Sequence, residues 1–247
     1  MRNPLEQWPL LRQLRQKDPY GRGAAVKSRT TAALRPRTAT ADMSVGSWLL
    51  AGFVPAVSVA ALSDVTGRLR TLGTVATAGS ALLGGPVAAY TAALISDTAV
   101  PAWHEGHRWM PFVFVSSGLS AAAGVGLMAA PVAETGPLVR LAVGGGVAEV
   151  ALTKTMERRA GVVKEAYETG PAKRFLRTAE MLTAGGVLLA GSAGRSRTRA
   201  AVAGAALLAG SALTRFGIFH AGLASAEDPK YTVLPQRARL KNPDGTG

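Results

Sequence analysis

Three stretches of the chain contain no Asp, Glu, Lys or Arg over a length that could cross a lipid bilayer. These stretches are residues 43–63, 71–96 and 109–133. A helix rises about 1.5 Å per residue, so roughly 20 apolar residues cross the hydrocarbon core of a membrane. Three such stretches in one chain favour membrane-spanning helices over the alternative, a large soluble helical domain rich in Ala and Gly.

The hydropathy pattern as a whole predicts an all-α fold, a polytopic transmembrane helix bundle of about six spans. The last three spans contain ionisable residues, which are tolerated where helices of a bundle face one another instead of lipid. The predicted spans are residues 44–62, 72–96, 109–132, 138–153, 175–194 and 200–226.

Composition divides the chain into three regions. Residues 1–42 are basic and rich in Arg, Thr, Ala and Pro, without apolar periodicity, which predicts a disordered tail. No apolar segment of the kind found in signal peptides follows within 30 residues of the start. Residues 43–226 form the predicted bundle, and residues 227–247 a cytoplasmic C-terminal tail.

The net charge of +13 changes the interpretation less than the positions of the charges do. Most of the 28 Lys and Arg residues lie in the tails or between the apolar stretches, which argues against a nucleic-acid partner and for a lipid bilayer. With six spans and a cytoplasmic N-terminus, 21 basic residues fall on the cytoplasmic side and six on the other. The expected location is the cell membrane, multi-pass, with both termini cytoplasmic.

The residue inventory excludes several kinds of metal and cofactor site. The chain has no Cys, which excludes disulfides and thiolate-ligated iron–sulfur or zinc sites within it. Only three His residues are present, and two of them lie in one loop, which disfavours a haem with two axial His ligands from facing helices. The phosphate-binding and nucleophile-elbow motifs of soluble enzymes are absent from the sequence. We therefore expect this chain itself to bind no metal or prosthetic group.

The loop between the second and third spans contains the densest set of reactive side chains. Pro101 should end or redirect the helix there. Asp97, His104 and Glu105 provide titratable groups near one membrane surface. The H-E-x-H spacing lacks the i, i+4 pair of His residues found on zinc-protease helices, which disfavours a metal site. A structural loop, a proton relay and a docking contact remain open as roles.

Glu149, Arg215 and His220 are the ionisable residues in the fourth and sixth spans. A buried Arg requires a partner, and Glu149 is the acidic residue within another span that could provide one. We therefore predict a Glu149–Arg215 pair or a shared polar pocket. The alternative is that Arg215 extends to the headgroups at the membrane surface. His220 is five residues from Arg215 and falls on a different face of the helix.

Four segments of the chain have distinctive sequences. They are MSVGSWLLAG at 43–52, the stretch at 88–118 that contains SDTAVPAWHE, the turn at Met156 to Arg159, and TRFGIFHAGLASAEDPKYTVLPQR at 214–237. Together these segments resemble the NrfD/polysulfide reductase membrane-subunit family. The likeness extends over residues 43–240, and the SDTAVPAWHE and TRFGIFHAG segments are its most specific parts.

This resemblance implies an eight-helix, haem-free anchor that passes electrons between a quinone such as menaquinone and an iron–sulfur subunit. That subunit would work with a molybdopterin catalytic subunit. Asp97, His104, Glu105, Arg215 and His220 match motif positions, and Glu149 joins them as a candidate for a quinone site or a proton path. The matching region begins at the third of the family's eight helices. The resemblance therefore leaves two alternatives open, a quinone-reactive member and a truncated member whose quinone site is incomplete and inactive.

Two other classes of protein fit the same pattern. A small transporter or channel could use Asp97, Glu149 and Arg215 as a polar path, although the inverted repeat that many transporters carry is not detected. A non-catalytic assembly protein is the second. Quinol-dependent electron transfer in a complex that contains this chain would separate the three hypotheses.

Overall fold

The computed structural model describes residues 39–233, and this part of the chain is helical with short connections and contains no β-strand. The contacts discussed below lie within Trp48–Gly247, which forms one unit. The α-helices are α1 (Ala39–Thr66), α2 (Arg70–Ser96), α3 (Pro101–Glu105), α4 (Met110–Ala129), α5 (Thr135–Arg159), α6 (Lys164–Glu168), α7 (Gly170–Ala190) and α8 (Arg197–Glu227).

Five helical segments are long and apolar enough to cross a bilayer. They are Val45–Thr66, Arg70–Ser96, Met110–Ala129, Val132–Arg159 and Arg197–Glu227. In a bilayer a helix satisfies all its backbone polar groups internally, so long apolar helices are the expected spanning elements. The predicted all-α class is confirmed, and the protein is a multi-pass membrane protein.

The remaining predicted span, residues 175–194, is α7, and its first half is too charged to count among the five apolar segments. Lys173, Arg174, Arg177 and Glu180 lie in that half. Nevertheless α7 passes along the bundle. Helix α7 starts just after α6, which follows the end of α5. Gly194 lies just after the end of α7, and a Cβ added there would be 3.8 Å from the Oγ1 of Thr135, the first residue of α5. The helix therefore runs between the same two ends as α5.

Close approach between helices depends on small residues. A Cβ added to Gly204 on α8 would collide with the carbonyl oxygen of Gly124 on α4. A Cβ added to Gly145 on α5 would lie 2.9 Å from the backbone nitrogen of Ser120 on α4. No hydrophobic effect operates between helices within lipid, so close packing of this kind contributes much of the association free energy.

Helices α1 and α2 are far less covered by protein than α4 and α8. Only 11% and 6% of their spanning residues are buried, against 44% for α4 and α8. Trp48 and Leu82 expose 73% and 77% of their surface. In a bilayer, apolar side chains exposed in this way face lipid, which agrees with the spanning assignment of both helices.

One end of the bundle, here called the α3 end, contains α3, α6 and the last turns of α5 and α8. The phenol of Tyr167 on α6 donates a 2.9 Å hydrogen bond to the carbonyl of Ala102, and the Ala102 amide donates a 3.1 Å hydrogen bond to Ser225 Oγ on α8. The guanidinium of Arg159 lies 5.8 Å from the centre of the Trp109 ring. These contacts hold α3 against the ends of the longer helices.

At the opposite end, Arg197 closes the C-terminus of α4. Its guanidinium donates to the carbonyl oxygens of Leu127, Met128 and Ala130, at 2.8 Å for Ala130. The last carbonyls of a helix have no partner within the helix, and a cation there also complements the helix dipole. This basic residue thus has a structural role.

The predicted tails lie largely outside the described residues. Of the predicted N-terminal tail, residues 1–38 are outside them, and α1 begins at Ala39, before the expected start at residue 44. At the other end, α8 ends at Glu227, one residue beyond the predicted boundary, and residues 234–247 are outside the described part. The orientation in the membrane stays a prediction.

Candidate functional site

Glu149 lies on the face of α5 that packs against α7 and α8, and only 2% of its surface is exposed. Its Oε1 accepts a 2.9 Å hydrogen bond from Thr214 Oγ1 on α8. Its Oε2 has no hydrogen-bond partner within the described part of the chain. A buried carboxylate with one oxygen unpaired is energetically costly, which marks this position as a candidate functional site.

Arg215 lies next to Thr214, but its guanidinium points to the other side of α8, towards α4. Its Nη1 donates to Ser117 Oγ at 3.0 Å, and to the Oγ and carbonyl oxygen of Ser211 at 2.6 Å and 3.2 Å. The guanidinium also lies 5.2 Å from the centre of the Phe114 ring. Ser211 is one turn nearer the middle of α8, so the side chain does not extend towards the headgroups at the α3 end.

The expected Glu149–Arg215 ion pair is therefore wrong, and so is the alternative of a headgroup anchor. The expected shared polar pocket is not found within the described residues either, because Arg215 lines the groove described next and Glu149 lines a different cavity. Each charged group instead binds neutral hydroxyls on its own side of α8: Thr214 for the carboxylate, Ser117 and Ser211 for the guanidinium. The reason is helical geometry, because adjacent residues on a helix point about 100° apart. Thr214 faces α5, and Arg215 consequently faces α4.

An apolar groove of about 790 Å³ lies beside Arg215. Its walls come from α2, α3, α4 and α8 and are almost entirely apolar. They include Ala88, Thr91, Ile95, Trp103, Phe114, Ala212, Arg215, Phe216, Ile218 and Phe219. Within the described residues, Arg215 makes all its hydrogen bonds through Nη1, which leaves the donors on Nε and Nη2 available to a molecule in the groove. Binding sites for small molecules often combine an apolar wall with a few such polar groups.

Trp103 connects this groove to the α3 end. Its indole Nε1 donates a 2.9 Å hydrogen bond to the carbonyl of Ile218, a residue in the body of α8. Its ring packs directly on Gly222, where no Cβ could be accommodated, and lies 6.3 Å from the ring of Phe219. The Trp of the SDTAVPAWHE segment therefore forms part of the groove wall.

The other charged residues of that segment are not part of the groove. Asp97, His104 and Glu105 are exposed at the α3 end. The His107 ring nitrogen Nδ1 lies 2.8 Å from the His104 carbonyl oxygen, a contact within the loop. Within residues 39–233 no group of three or more acidic or His side chains is arranged to hold a metal ion.

His220 is separated from both Glu149 and Arg215. It stacks on Phe175 of α7, with ring centres 5.1 Å apart and an angle of 12° between the planes. It lines a second cavity of about 520 Å³, together with Arg174 and Thr178. The structure thus places the six predicted site residues in four places, and only Glu149 and Arg215 lie inside the bundle near each other.

Sequence reasoning missed the neutral partners of the charged groups. Thr214, Ser117 and Ser211 bind the buried carboxyl group of Glu149 and the half-buried guanidinium of Arg215, yet Ser and Thr are common in membrane helices and carry no distinctive spacing here. One usable signal existed, because Thr214 immediately precedes Arg215 and Ser211 lies one helical turn before it. A hydroxyl at i−4 can bind the side chain that follows it on the same face.

Comparison with known proteins found no relative of this chain. No protein-family model, no curated protein and no solved structure matches the chain. The class that the fold defines is that of a multi-pass helical membrane protein, and the resemblance to the NrfD/polysulfide reductase membrane subunits stays a prediction.

Proposed function

We propose that this chain is the membrane subunit of a quinone-linked oxidoreductase complex and that the groove beside Arg215 receives the quinone headgroup. The observation that supports the proposal is the Arg215 guanidinium in the wall of a large apolar groove between membrane-spanning helices. Its Nε and Nη2 donors make no hydrogen bond within the described residues. A quinone has an apolar ring and tail and carbonyl oxygens that accept hydrogen bonds, so its chemistry matches such a wall.

The position of the groove supports electron transfer to a partner at the α3 end. Ile95 and Trp103, which line the groove, lie at or next to that end. There the exposed residues Asp97, His104 and Glu105 offer polar contacts to a peripheral subunit. In this proposal a quinol in the groove is oxidised, its electrons pass to an iron–sulfur subunit and on to a molybdopterin subunit, and its protons leave to water.

The proposal is tested first by quinone binding to the purified chain in lipid nanodiscs. Quinones quench Trp fluorescence, and Trp103 lies in the groove wall. Quenching by a soluble menaquinone analogue therefore reports occupancy in a chain whose other Trp residues, Trp8, Trp48 and Trp109, are replaced by Phe. Arg215→Gln should weaken binding by roughly tenfold to a hundredfold, because hydrogen bonds to a charged group contribute about 1.5–3 kcal/mol. Arg177→Gln, an exposed change on α7, should leave binding unchanged.

A second variant tests the groove without changing Arg215, so its result does not depend on whether the Arg215 variant folds. Ala212→Leu fills the groove without removing any hydrogen bond of Arg215, and Ala209→Leu places the same side chain at an exposed position outside the groove. We expect Ala212→Leu to abolish quenching and Ala209→Leu to preserve it. Equal quenching in both variants would exclude the groove as the quinone site.

The assignment to an oxidoreductase complex needs a separate measurement. The tagged chain, purified from its native membrane, should retain a subunit with iron–sulfur signals in electron paramagnetic resonance, and quinol should reduce those clusters. Quinone binding without such a partner would show a quinone-binding protein of another class. A complex that moves a solute and leaves quinol unoxidised would favour the transporter.

A further inference from the structure

Three buried oxygen atoms that have no hydrogen-bond partner among residues 39–233 lie around one small cavity. They are Glu149 Oε2 and Thr153 Oγ1 on α5, and Thr183 Oγ1 on α7. These residues line the same small cavity of about 10 Å³ between α5, α7 and α8. Buried polar atoms without a protein partner are rare, and three around one cavity make it a candidate binding site for a small polar molecule.

The size and chemistry of the cavity fit a single water molecule. A water requires a space of roughly 10–15 Å³ and two to four polar partners, and both conditions are met here. A metal cation fits poorly, because the ammonium group of Lys154 lines the same cavity. The carboxylate and two hydroxyls can instead bind a water that both donates and accepts hydrogen bonds.

The cavity also borders an ion-pair cluster that extends towards the α3 end. Lys154 Nζ lies 2.7 Å from Glu180 Oε2 and 3.4 Å from Glu157 Oε2. Lys154, Glu157 and Glu180 line the small cavity, and Lys154 and Glu157 also line a wider cavity of about 420 Å³. The wider cavity includes Glu165 and Glu168 of the exposed α6 region. Polar groups thus continue from the bundle surface to Glu149.

We propose that Glu149, Thr153 and Thr183 bind one water molecule, and that this water connects the Glu149 carboxyl group to the Lys154–Glu157–Glu180 cluster. Glu149 then exchanges its proton with the aqueous phase at the α3 end. This inference goes beyond the proposed function, because it holds whether or not a quinone occupies the groove.

Each transfer along this route conserves protons and charge. The Glu149 O–H bond breaks, the water takes that proton and passes one of its own to the carboxylate of Glu157 or Glu180, which becomes neutral while Glu149 becomes anionic. The route ends at Glu149, since the Thr214 hydroxyl is already held by Glu149 Oε1 and the Gly210 carbonyl.

The charged groups that line the two cavities beside Glu149 include Lys154 and Glu157 of helix α5 and Glu180 and Arg177 of helix α7. Arg215 of helix α8 points to the other side of that helix and interacts with Glu149 only electrostatically. Helix α4 has no ionisable side chain. The acidic cluster at the α3 end is therefore the nearest set of proton acceptors for the water.

Infrared difference spectroscopy of the full chain in lipid vesicles tests the proposal without any quinone. A protonated carboxyl group gives a C=O stretching band that shifts on exchange into heavy water. We expect an exchangeable band that Glu149→Gln removes. Glu149→Asp should move the band instead, which assigns it even if the Gln variant folds poorly.

The role of the water is tested by removing the two hydroxyls that bind it. Thr153→Val with Thr183→Val should slow the hydrogen–deuterium exchange of the Glu149 band by about tenfold, because the bridging water loses two of its hydrogen bonds. The matched control is Thr155→Val with Thr178→Val, whose hydroxyls bond to their own helix carbonyls away from the cavity. Control and wild type should exchange alike.

Three results would overturn the proposal. The first is the absence of any exchangeable carboxyl band that depends on Glu149. The second is exchange in the Thr153→Val, Thr183→Val variant as fast as in wild type. The third is an experimental structure at high resolution in which the cavity contains no ordered water. Loss of quinone binding with an intact Glu149 band would contradict the proposed function alone.

Discussion

Thr214 Oγ1 donates a 2.9 Å hydrogen bond to Glu149 Oε1, and this contact takes the place of the expected ion pair between Glu149 and Arg215. The Thr hydroxyl also bonds to the Gly210 carbonyl of its own helix at 3.1 Å. A neutral donor therefore holds the buried carboxylate between α5 and α8. The first prediction concerns this contact.

We expect Thr214→Val to destabilise the protein by about 1–3 kcal/mol, because both oxygens of the buried Glu149 carboxyl group then lack a protein donor. Thermal unfolding in a mild detergent measures the effect. Thr178→Val, an exposed change on α7, serves as the control and should stay within about 0.5 kcal/mol of wild type.

A double-mutant cycle distinguishes this contact from the ion pair. Combining Thr214→Val with Glu149→Leu should be less harmful than the sum of the two single changes, since the Leu variant removes the stranded carboxylate. The coupling between Glu149→Leu and Arg215→Leu should be smaller. A larger coupling energy for the Glu149–Arg215 cycle would show that these two charges interact more strongly than Glu149 and the Thr214 hydroxyl do.

The second prediction concerns the serines around Arg215. Ser211→Ala removes a 2.6 Å hydrogen bond to the guanidinium and the 2.7 Å contact with Ser117 Oγ. We expect a loss of about 1.5–3 kcal/mol in stability, the range for hydrogen bonds to charged groups. Ser58→Ala, where an exposed hydroxyl bonds only to its own helix, should be nearly neutral in the same unfolding assay. A neutral Ser211→Ala would contradict the assignment of this hydroxyl as a main ligand of Arg215.

Much of the fold can be predicted because the signal lies in the absence of charges. The uncharged stretch 71–96 corresponds to α2, Arg70–Ser96, and the stretch predicted as 109–132 to α4, Met110–Ala129. The fourth span was predicted as residues 138–153, and the helix observed there is longer, Thr135–Arg159. A helix can continue beyond the hydrocarbon core of the membrane. Lys154 and the residues after it remain helical in the polar region at the α3 end.

The candidate site is harder to predict because it depends on which faces of the helices meet. Charge and burial identified Glu149 and Arg215 as residues of interest, and both lie inside the bundle. Their partners depend on the rotation of α8 against α4 and α5, which no periodicity in an Ala- and Gly-rich helix specifies. The short helices α3 and α6 were missed for a related reason, since five residues carry too little pattern to recognise.

The third prediction tests the close approach of α4 and α8. Gly204→Ala should destabilise the protein by about 1–3 kcal/mol, because the new methyl group would overlap the Gly124 carbonyl. Gly118→Ala on α4 is the matched control. A Cβ there meets open space, so the change should be neutral or stabilising by up to about 1 kcal/mol. Equal effects of the two substitutions in thermal unfolding would contradict the packing described for this pair of helices.

The fourth prediction concerns pH and Tyr167. Burial raises the pKa of the Tyr167 phenol well above its usual range, with a smaller contribution from the negative charge of Glu157. Since the folded state holds this proton more tightly than the unfolded state does, Tyr167 contributes stability below pH of about 10, and this contribution decreases as the pH rises further.

Tyr167→Phe should therefore flatten the loss of stability above pH of about 10. At neutral pH the same change should lower the stability by about 1–3 kcal/mol, because the buried Ala102 carbonyl loses its donor. Thermal unfolding as a function of pH, compared with Tyr90→Phe, measures both effects. An identical alkaline slope in the Tyr167→Phe variant would show that another group controls it.

The last prediction decides whether α7 crosses the membrane. The chain has no native Cys, so single Cys substitutions at exposed positions report membrane sidedness directly. Glu105→Cys and Glu168→Cys lie at the α3 end, and Glu134→Cys and Arg195→Cys at the other end. A membrane-impermeant maleimide applied to one side of sealed vesicles should label one pair only, and permeabilised vesicles should label all four positions. Because α7 separates Glu168 from Arg195, labelling of these two positions from the same side would mean that α7 does not cross. The charged first half of α7 would then lie in water, and so would the ion pair between Lys154 and Glu180.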